Sequence, residues 1–207
     1  MKIICEQEET VMKKNKRMLW MNLVLVAALI AGLALPATSV SAADKEKKTT
    51  QKVLVVYFSG TGNTRSAAKK VKAATGGKLY EIKAADPYTS EDLDYSNDNC
   101  RANVEQNDEN VRPEIKGKVK NIRKYDVIFV GYPIWWGKEP MIIRTFLESY
   151  NLEGKTIVPF CTSGGSGISG SMKGIKAAAK GAKVVKGKDL TGLSSASVEK
   201  WAKKKVK

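Results

Sequence analysis

An uncharged run of β-branched and aromatic residues, Val53 to Phe58, passes without a break into Ser59-Gly-Thr-Gly-Asn-Thr64, and this junction restricts the fold more than any other stretch of the chain. Such a run suits a strand covered on both faces, as in a parallel sheet. Gly60 and Gly62 let the backbone approach a ligand closely, while Ser59, Thr61, Asn63 and Thr64 offer hydroxyl and amide groups beside it. A helical pattern follows at once. The first N–H groups of a helix have no intrahelical partner and sit at the positive end of its dipole, so the junction reads as an anion site and, more narrowly, a phosphate cradle.

Two nucleotide loops are excluded by where they need glycine and lysine. Counting from Gly60, the Walker pattern requires Gly-Lys where this chain has Arg65-Ser66. The dinucleotide fingerprint lacks its third glycine, again at Arg65, and no acidic residue follows a second strand in the required way. A hydroxyl-rich cradle for a terminal monophosphate remains, against the plainer alternative of a glycine turn after a strand. Helix one is expected over about Thr64 to Ala74, with Ala67, Ala68 and Val71 facing the sheet and Lys69, Lys70 and Lys72 facing water. Gly76-Gly77 ends it, and Leu79 to Ile82 forms a second strand.

Two further strand-end loops decide between those alternatives. Val127 to Gly131 reads as a third buried strand, after a short helix before Tyr125-Asp126, and its exit loop carries Pro133, Ile134, Trp135, Trp136 and Gly137. Two indoles at a strand's exit to solvent supply the flat wall that a planar ring needs. Pro140 to Tyr150 is the next helix, with proline in the tolerated first turn. Thr156 to Cys161 is the fourth strand, running into Thr162, Ser163, Gly164, Gly165, Ser166 and Gly167, whose glycines expose backbone N–H groups that suit a pyrimidine carbonyl or a ring anion. A helix starts near Ser171, Val184-Val185 is a short fifth strand, and Ser197 to Lys204 is a last helix with Val198 and Trp201 on the sheet.

The three loops Ser59-Gly-Thr-Gly-Asn-Thr64, Gly131-Tyr-Pro-Ile-Trp-Trp-Gly137 and Thr162-Ser-Gly-Gly-Ser-Gly167, in that order at strand ends, resemble those of the flavodoxin-like FMN proteins. The resemblance covers about Val53 to Lys205. It implies an α/β fold, a doubly wound five-stranded parallel sheet of order 2-1-3-4-5 with helices on both faces, and FMN bound by these three loops at the carboxyl ends of the strands. It also implies that Trp136, rather than Trp135, lies against the flavin ring. Flavodoxins commonly clamp the ring between two aromatics, and here the third loop offers Gly164 and Gly165 instead.

Ahead of this domain (53–207), residues 1–43 read as a cleavable export signal: Lys13, Lys14, Lys16 and Arg17, then an apolar core from Leu23 to Leu35, then small residues at Val40 to Ala43. The core is shorter than the roughly 18 apolar residues of a spanning helix, although a retained N-terminal anchor is the alternative. Met12 is a candidate start. Residues 44–52 form a lysine-rich linker. The whole chain carries a net charge of +15; the first 43 residues hold five basic and three acidic groups, which leaves +13 for the remainder. This balance suits attraction to anionic cell-wall polymer or membrane surface. Nucleic acid is not expected, because the aromatic residues sit in loop motifs and are not interleaved with lysines.

The chain has no histidine, and only Cys100 and Cys161 remain after processing, so metal catalysis and histidine acid–base chemistry are poor fits. Asp86 to Asn110 stands apart, with eight acidic residues against Arg101 alone. Its length exceeds the usual connection in a compact domain. The segment is expected to be a lid or docking surface beside the ring, with Tyr88 and Tyr95 as aromatic donors, against the alternative of a solvated insertion. The functional expectation is an exported electron carrier that serves a redox partner protein or a quinone-like acceptor, as a monomer or homodimer. An FMN-dependent NAD(P)H:quinone-type oxidoreductase and a redox-silent ligand- or wall-binding module are the alternatives.

Overall fold

The computed structural model describes residues 51–206. The export-signal reading and the linker up to residue 50 lie outside the described residues.

Strands β1 (Val53–Tyr57), β2 (Lys78–Glu81), β3 (Val127–Pro133), β4 (Thr156–Thr162), β5 (Lys183–Val184) and β6 (Lys188–Asp189) form one parallel sheet. Its order is β2-β1-β3-β4-β5, with β6 also on β4, so the expected 2-1-3-4-5 arrangement is present. Helices α1 (Asn63–Thr75), α2 (Arg101–Asn107), α3 (Met141–Glu148), α4 (Met172–Ala178) and α5 (Ser195–Lys203) cover it.

The period-two geometry of a strand sorts the central residues between two cores. Leu54, Val56, Ile128, Val130 and Ile157 face the layer of α3 and α4, where Ile142, Phe146 and Ile175 meet them. Val53, Val55, Val127, Phe129 and Val158 face α1 and α5, through Ala67, Ala68, Val71, Val198 and Ala202. Every residue of β1 is buried, which is why that strand reads as continuously apolar. Trp201 packs edge-on to Phe129 at 5.7 Å and to Phe160 at 6.5 Å, as its place on the last helix predicts. Gly131 sits where a Cβ would come within 2.1 Å of the Phe160 ring, so β3 and its neighbour close only around a glycine.

The fifth strand departs from expectation. It is Lys183–Val184 rather than Val184-Val185, and the edge resumes only at Lys188–Asp189. The cause lies in β4. Ile157 and Cys161 accept from Val185 and Leu190 on this edge, and Pro159 stands between them with no N–H to offer. The short helix expected before Tyr125 is a single 3₁₀ turn, Ile122–Lys124, entered through Asn121 at φ 55°.

The acidic segment is folded, although most of its residues stay exposed. Its two ends are tied by an antiparallel bridge between Ala84 and Ile115. Inside the loop, Tyr88 donates to Glu105 Oε2 at 2.5 Å, and Arg101 both pairs with Glu105 and lies 4.1 Å above the Tyr88 ring. Ala102, Asn103, Glu105 and Gln106 are buried, and Gln106 donates to the Glu139 carbonyl at 3.2 Å.

Candidate functional site

The three loops converge on one cavity of about 430 Å³ at the carboxyl ends of β1, β3 and β4. Thr61 and Asn63 come from the first loop, Pro133, Ile134 and Trp135 from the second, and Thr162, Ser163 and Gly164 from the third.

In the first loop, Gly62 at φ 91° precedes α1 without a side-chain cap. Ser59 Oγ accepts from the N–H groups of Gly62 (3.1 Å) and Arg65 (3.2 Å), and so folds the loop back over the helix start. Asn63 and Thr64 between them open the helix with no side-chain cap, and Thr61 and Asn63 line this end of the cavity. Thr64 is buried, and its hydroxyl meets that of Thr162 at 2.8 Å, which fastens the first loop to the third. Arg65 turns outward to Glu81 at 2.6 Å and leaves this end of the cavity to amides and hydroxyls. Gly60 lies under Leu93 of the acidic segment, whose Cδ1 stands 2.9 Å from where a Cβ would be.

The second loop is a tight hairpin. Trp135 and Lys138 exchange backbone hydrogen bonds of 3.0 and 2.9 Å, with Trp136 (φ 49°) and Gly137 (φ 76°) as its central pair. Both centres of such a turn need positive φ, which glycine accepts freely and tryptophan does not. The turn separates the indoles. Trp135 is 3% exposed and packs edge-on to Phe58 (5.7 Å), Tyr88 (5.5 Å) and Tyr95 (6.4 Å). Trp136 is 63% exposed at the tip, and its Nε1–H donates to Asn103 Oδ1 at 2.7 Å. It does not line the main cavity. It borders an adjoining 230 Å³ cleft with Tyr95, Ile134 and Trp135.

The third loop is held from within. Ser163 Oγ accepts from Gly165 N–H (3.2 Å) and Gly167 N–H (3.1 Å), so those two amides serve the loop's own shape, and Gly164 is the glycine on the cavity wall. The turn after β6 completes that wall with Leu190, Thr191 and Gly192. Ser66, Ala67 and Lys70 on α1 also line the cavity, and sequence reasoning missed all of these. Lys70 was expected in water; it is half-buried and donates to the Leu193 carbonyl at 2.7 Å. The signal available for 189–192 was Asp-Leu-Thr-Gly, an aspartate-led turn with glycine at its end.

Of the two tyrosines proposed as aromatic donors, Tyr95 borders the cavity and Tyr88 does not, because its ring is spent on Phe58 and Trp135. Burial and the Glu105 carboxylate hold the Tyr88 phenol protonated far above its usual range. Cys161 is fully buried beneath the site, and burial pushes its thiol well up, as expected of a core filler. Among the described residues no cluster of three metal-ligating side chains is present.

A turn rich in hydroxyls and amides at the first strand end, a wall of aromatic rings at the second and a glycine loop at the third fit a protein that binds a flat-ringed mononucleotide. Residues 52–205 match the flavodoxin family model, and the chain belongs to that family. Its solved relatives include a protein proposed to be a flavoprotein from Bacteroides eggerthii DSM 20697, 48% identical over 74% of this chain and 96% of its own, with a TM-score of 0.71. A second, from Bacteroides uniformis ATCC 8492, is 44% identical over 74% and 99% of the two chains, also at 0.71. A flavoprotein from Lactobacillus acidophilus NCFM, solved in complex with FMN, is 25% identical over 73% and 99%, with a TM-score of 0.52. No curated protein matches the chain.

Proposed function

We propose that this flavodoxin-family protein is an exported FMN-binding electron carrier. The cofactor is FMN. Its phosphate fits the open amides of Asn63 and Thr64 with the Thr61 hydroxyl, and its ring fits the aromatic wall of Trp135 and Tyr95, with Trp136 at the mouth. The observation that carries this reading is the convergence of three strand-end loops on one cavity whose phosphate end needs no cation, since Arg65 is turned away to Glu81. Bound FMN supplies one- and two-electron redox chemistry. The chain's own residues bind and orient it, exclude water on the Trp135 side and leave the Trp136 edge open to a partner.

Support for a carrier comes from that open edge. The cavity mouth is framed by an exposed indole and by Tyr95, which is 44% exposed, on a segment rich in carboxylates. Such a surface suits a redox partner protein, and the basic balance elsewhere suits an anionic cell wall or membrane surface. Support for export comes from the basic, apolar and small-residue order of residues 1–43.

The 230 Å³ cleft of Tyr95, Ile134, Trp135 and Trp136 favours a second reading, an FMN-dependent oxidoreductase that passes electrons to a flat quinone-type acceptor. Anaerobic reductive titration of the purified holoprotein separates the two. Two resolved one-electron steps support the carrier, whereas a single two-electron step with nicotinamide-dependent quinone turnover supports the enzyme. A protein that retains no flavin refutes both. N-terminal sequencing of the mature chain from the cell-envelope or extracellular fraction tests export, with cleavage expected between residues 40 and 44.

A further inference from the structure

Between Glu153 and Glu199 the sequence holds seven lysines and a single acidic residue, Asp189. Among the described residues no lysine forms an ion pair with it. Its carboxylate is spent on neutral donors instead. Oδ2 accepts the Ser163 hydroxyl at 2.6 Å, and Oδ1 accepts both the Thr191 hydroxyl at 2.6 Å and the Thr191 N–H at 2.9 Å. Thr191 Oγ1 in turn accepts the Ser163 N–H at 2.8 Å. Ser163 and Thr191 both line the cavity, one from the third loop and one from the turn after β6.

The donor and acceptor inventory admits only a carboxylate here. A serine hydroxyl has one proton to give and two lone pairs. Both lone pairs of Ser163 Oγ are taken by the amides of Gly165 and Gly167, so its proton must go outward to Asp189. Thr191 likewise presents two donors to the other oxygen. An asparagine in either flip would set its NH₂ against a group that is already donating or already filled. Asp189 therefore has to be acceptor-only on both oxygens.

We infer that Asp189 is a positioning residue for the flavin ring: it locks Ser163 and the turn of Leu190 to Gly192 into one wall and holds an unneutralised negative charge behind it. The inference rests on the FMN reading above. It concerns the ring end of the cavity, because the phosphate end is built by Ser59 to Thr64 and shares no hydrogen bond with Asp189.

The test compares full-length Asp189→Asn with the parent, using FMN and riboflavin, which lacks the phosphate. Asp189→Asn is expected to lose at least about tenfold in affinity for both flavins, with the FMN-to-riboflavin ratio unchanged, because a donor now faces a donor. Removing the charge is also expected to raise the one-electron potential, by about 59 mV for each tenfold by which reduced flavin is favoured over oxidised. Thr191→Val, which keeps the shape and removes the hydroxyl, should lose flavin affinity in the same ratio and leave the potential closer to the parent's. Equal affinities for parent and Asp189→Asn, or a loss confined to FMN, overturn the assignment, as does a potential that falls. A parent protein that binds neither flavin refutes the FMN reading itself, a result distinct from either.

Discussion

The hairpin that splits Trp135 from Trp136 gives the two indoles opposite signatures on substitution. Trp135 is 3% exposed, with edge contacts to Phe58, Tyr88 and Tyr95. Truncating a buried aromatic to alanine costs about 3–5 kcal/mol, a large share of the roughly 5–15 kcal/mol that holds a domain folded. With a urea m-value of about 2 kcal/mol/M, the apo-protein midpoint should fall by about 1.5–2.5 M in Trp135→Ala. Trp136 is 63% exposed and loses one hydrogen bond to Asn103, worth about 0.5–1.5 kcal/mol, so the apo midpoint of Trp136→Ala should move by well under 1 M. Its loss should appear in the flavin. Stacking of a flat base on an aromatic side chain contributes about 1–3 kcal/mol, so FMN affinity should drop about fivefold to more than a hundredfold. Urea titration followed by circular dichroism, and FMN titration followed by quenching of flavin fluorescence, measure the two quantities separately. The reasoning is refuted if Trp135→Ala leaves the apo midpoint in place, or if Trp136→Ala destabilises the apoprotein while binding FMN as tightly as the parent.

Thr61→Asp places a carboxylate at the phosphate end and should weaken FMN by about 1–4 kcal/mol, the span between bulk water and a partly screened surface; riboflavin affinity should hold, and equal losses would move the phosphate elsewhere. Gly131→Ala drives a Cβ to 2.1 Å from Phe160 Cζ and should cost about 1–3 kcal/mol by urea titration. Adding Phe160→Leu should recover part of that cost, so strictly additive costs would disprove the clash. Glu139 is fully buried with Arg144 Nε at 2.8 Å on Oε1 and no hydrogen-bond partner on Oε2; burial raises its carboxyl pKa, and the Arg144 contact only partly offsets this. The folded state thus holds the proton more tightly than the unfolded one, so this group's contribution is fully present below the unfolded value of about 4.5 and is lost as pH rises through the folded value. Between pH 4 and pH 8 the parent should lose stability that Glu139→Gln does not, and parallel pH profiles would refute the assignment.

How much was legible from the chain depended on the range of the interaction involved. Val53 to Phe58, Gly62, and the apolar runs of β3 and β4 declare themselves, because burial on both faces and positive φ are demands that a residue meets alone or with its neighbours. The strand order was implied by the resemblance of the three loops to the flavodoxin-like proteins, and the sheet has it. The break in the edge strand was not implied, because it needs Pro159 to lie opposite a particular stretch more than twenty residues later. The two tryptophans look alike in sequence. Only the hairpin closed by Trp135 and Lys138 sends one into the core and the other to solvent. Asp189 carries a local sign of its turn with Thr191 but none that its other oxygen will hold Ser163, and Lys70 gives none that its ammonium will meet the Leu193 carbonyl. Sequence thus determined the four inner and first-edge strands, the glycine-containing turn that opens α1 and the family. Tertiary structure decided which side chains share the cavity wall, because hydrogen bonds between distant segments depend on where packing sets two backbones side by side.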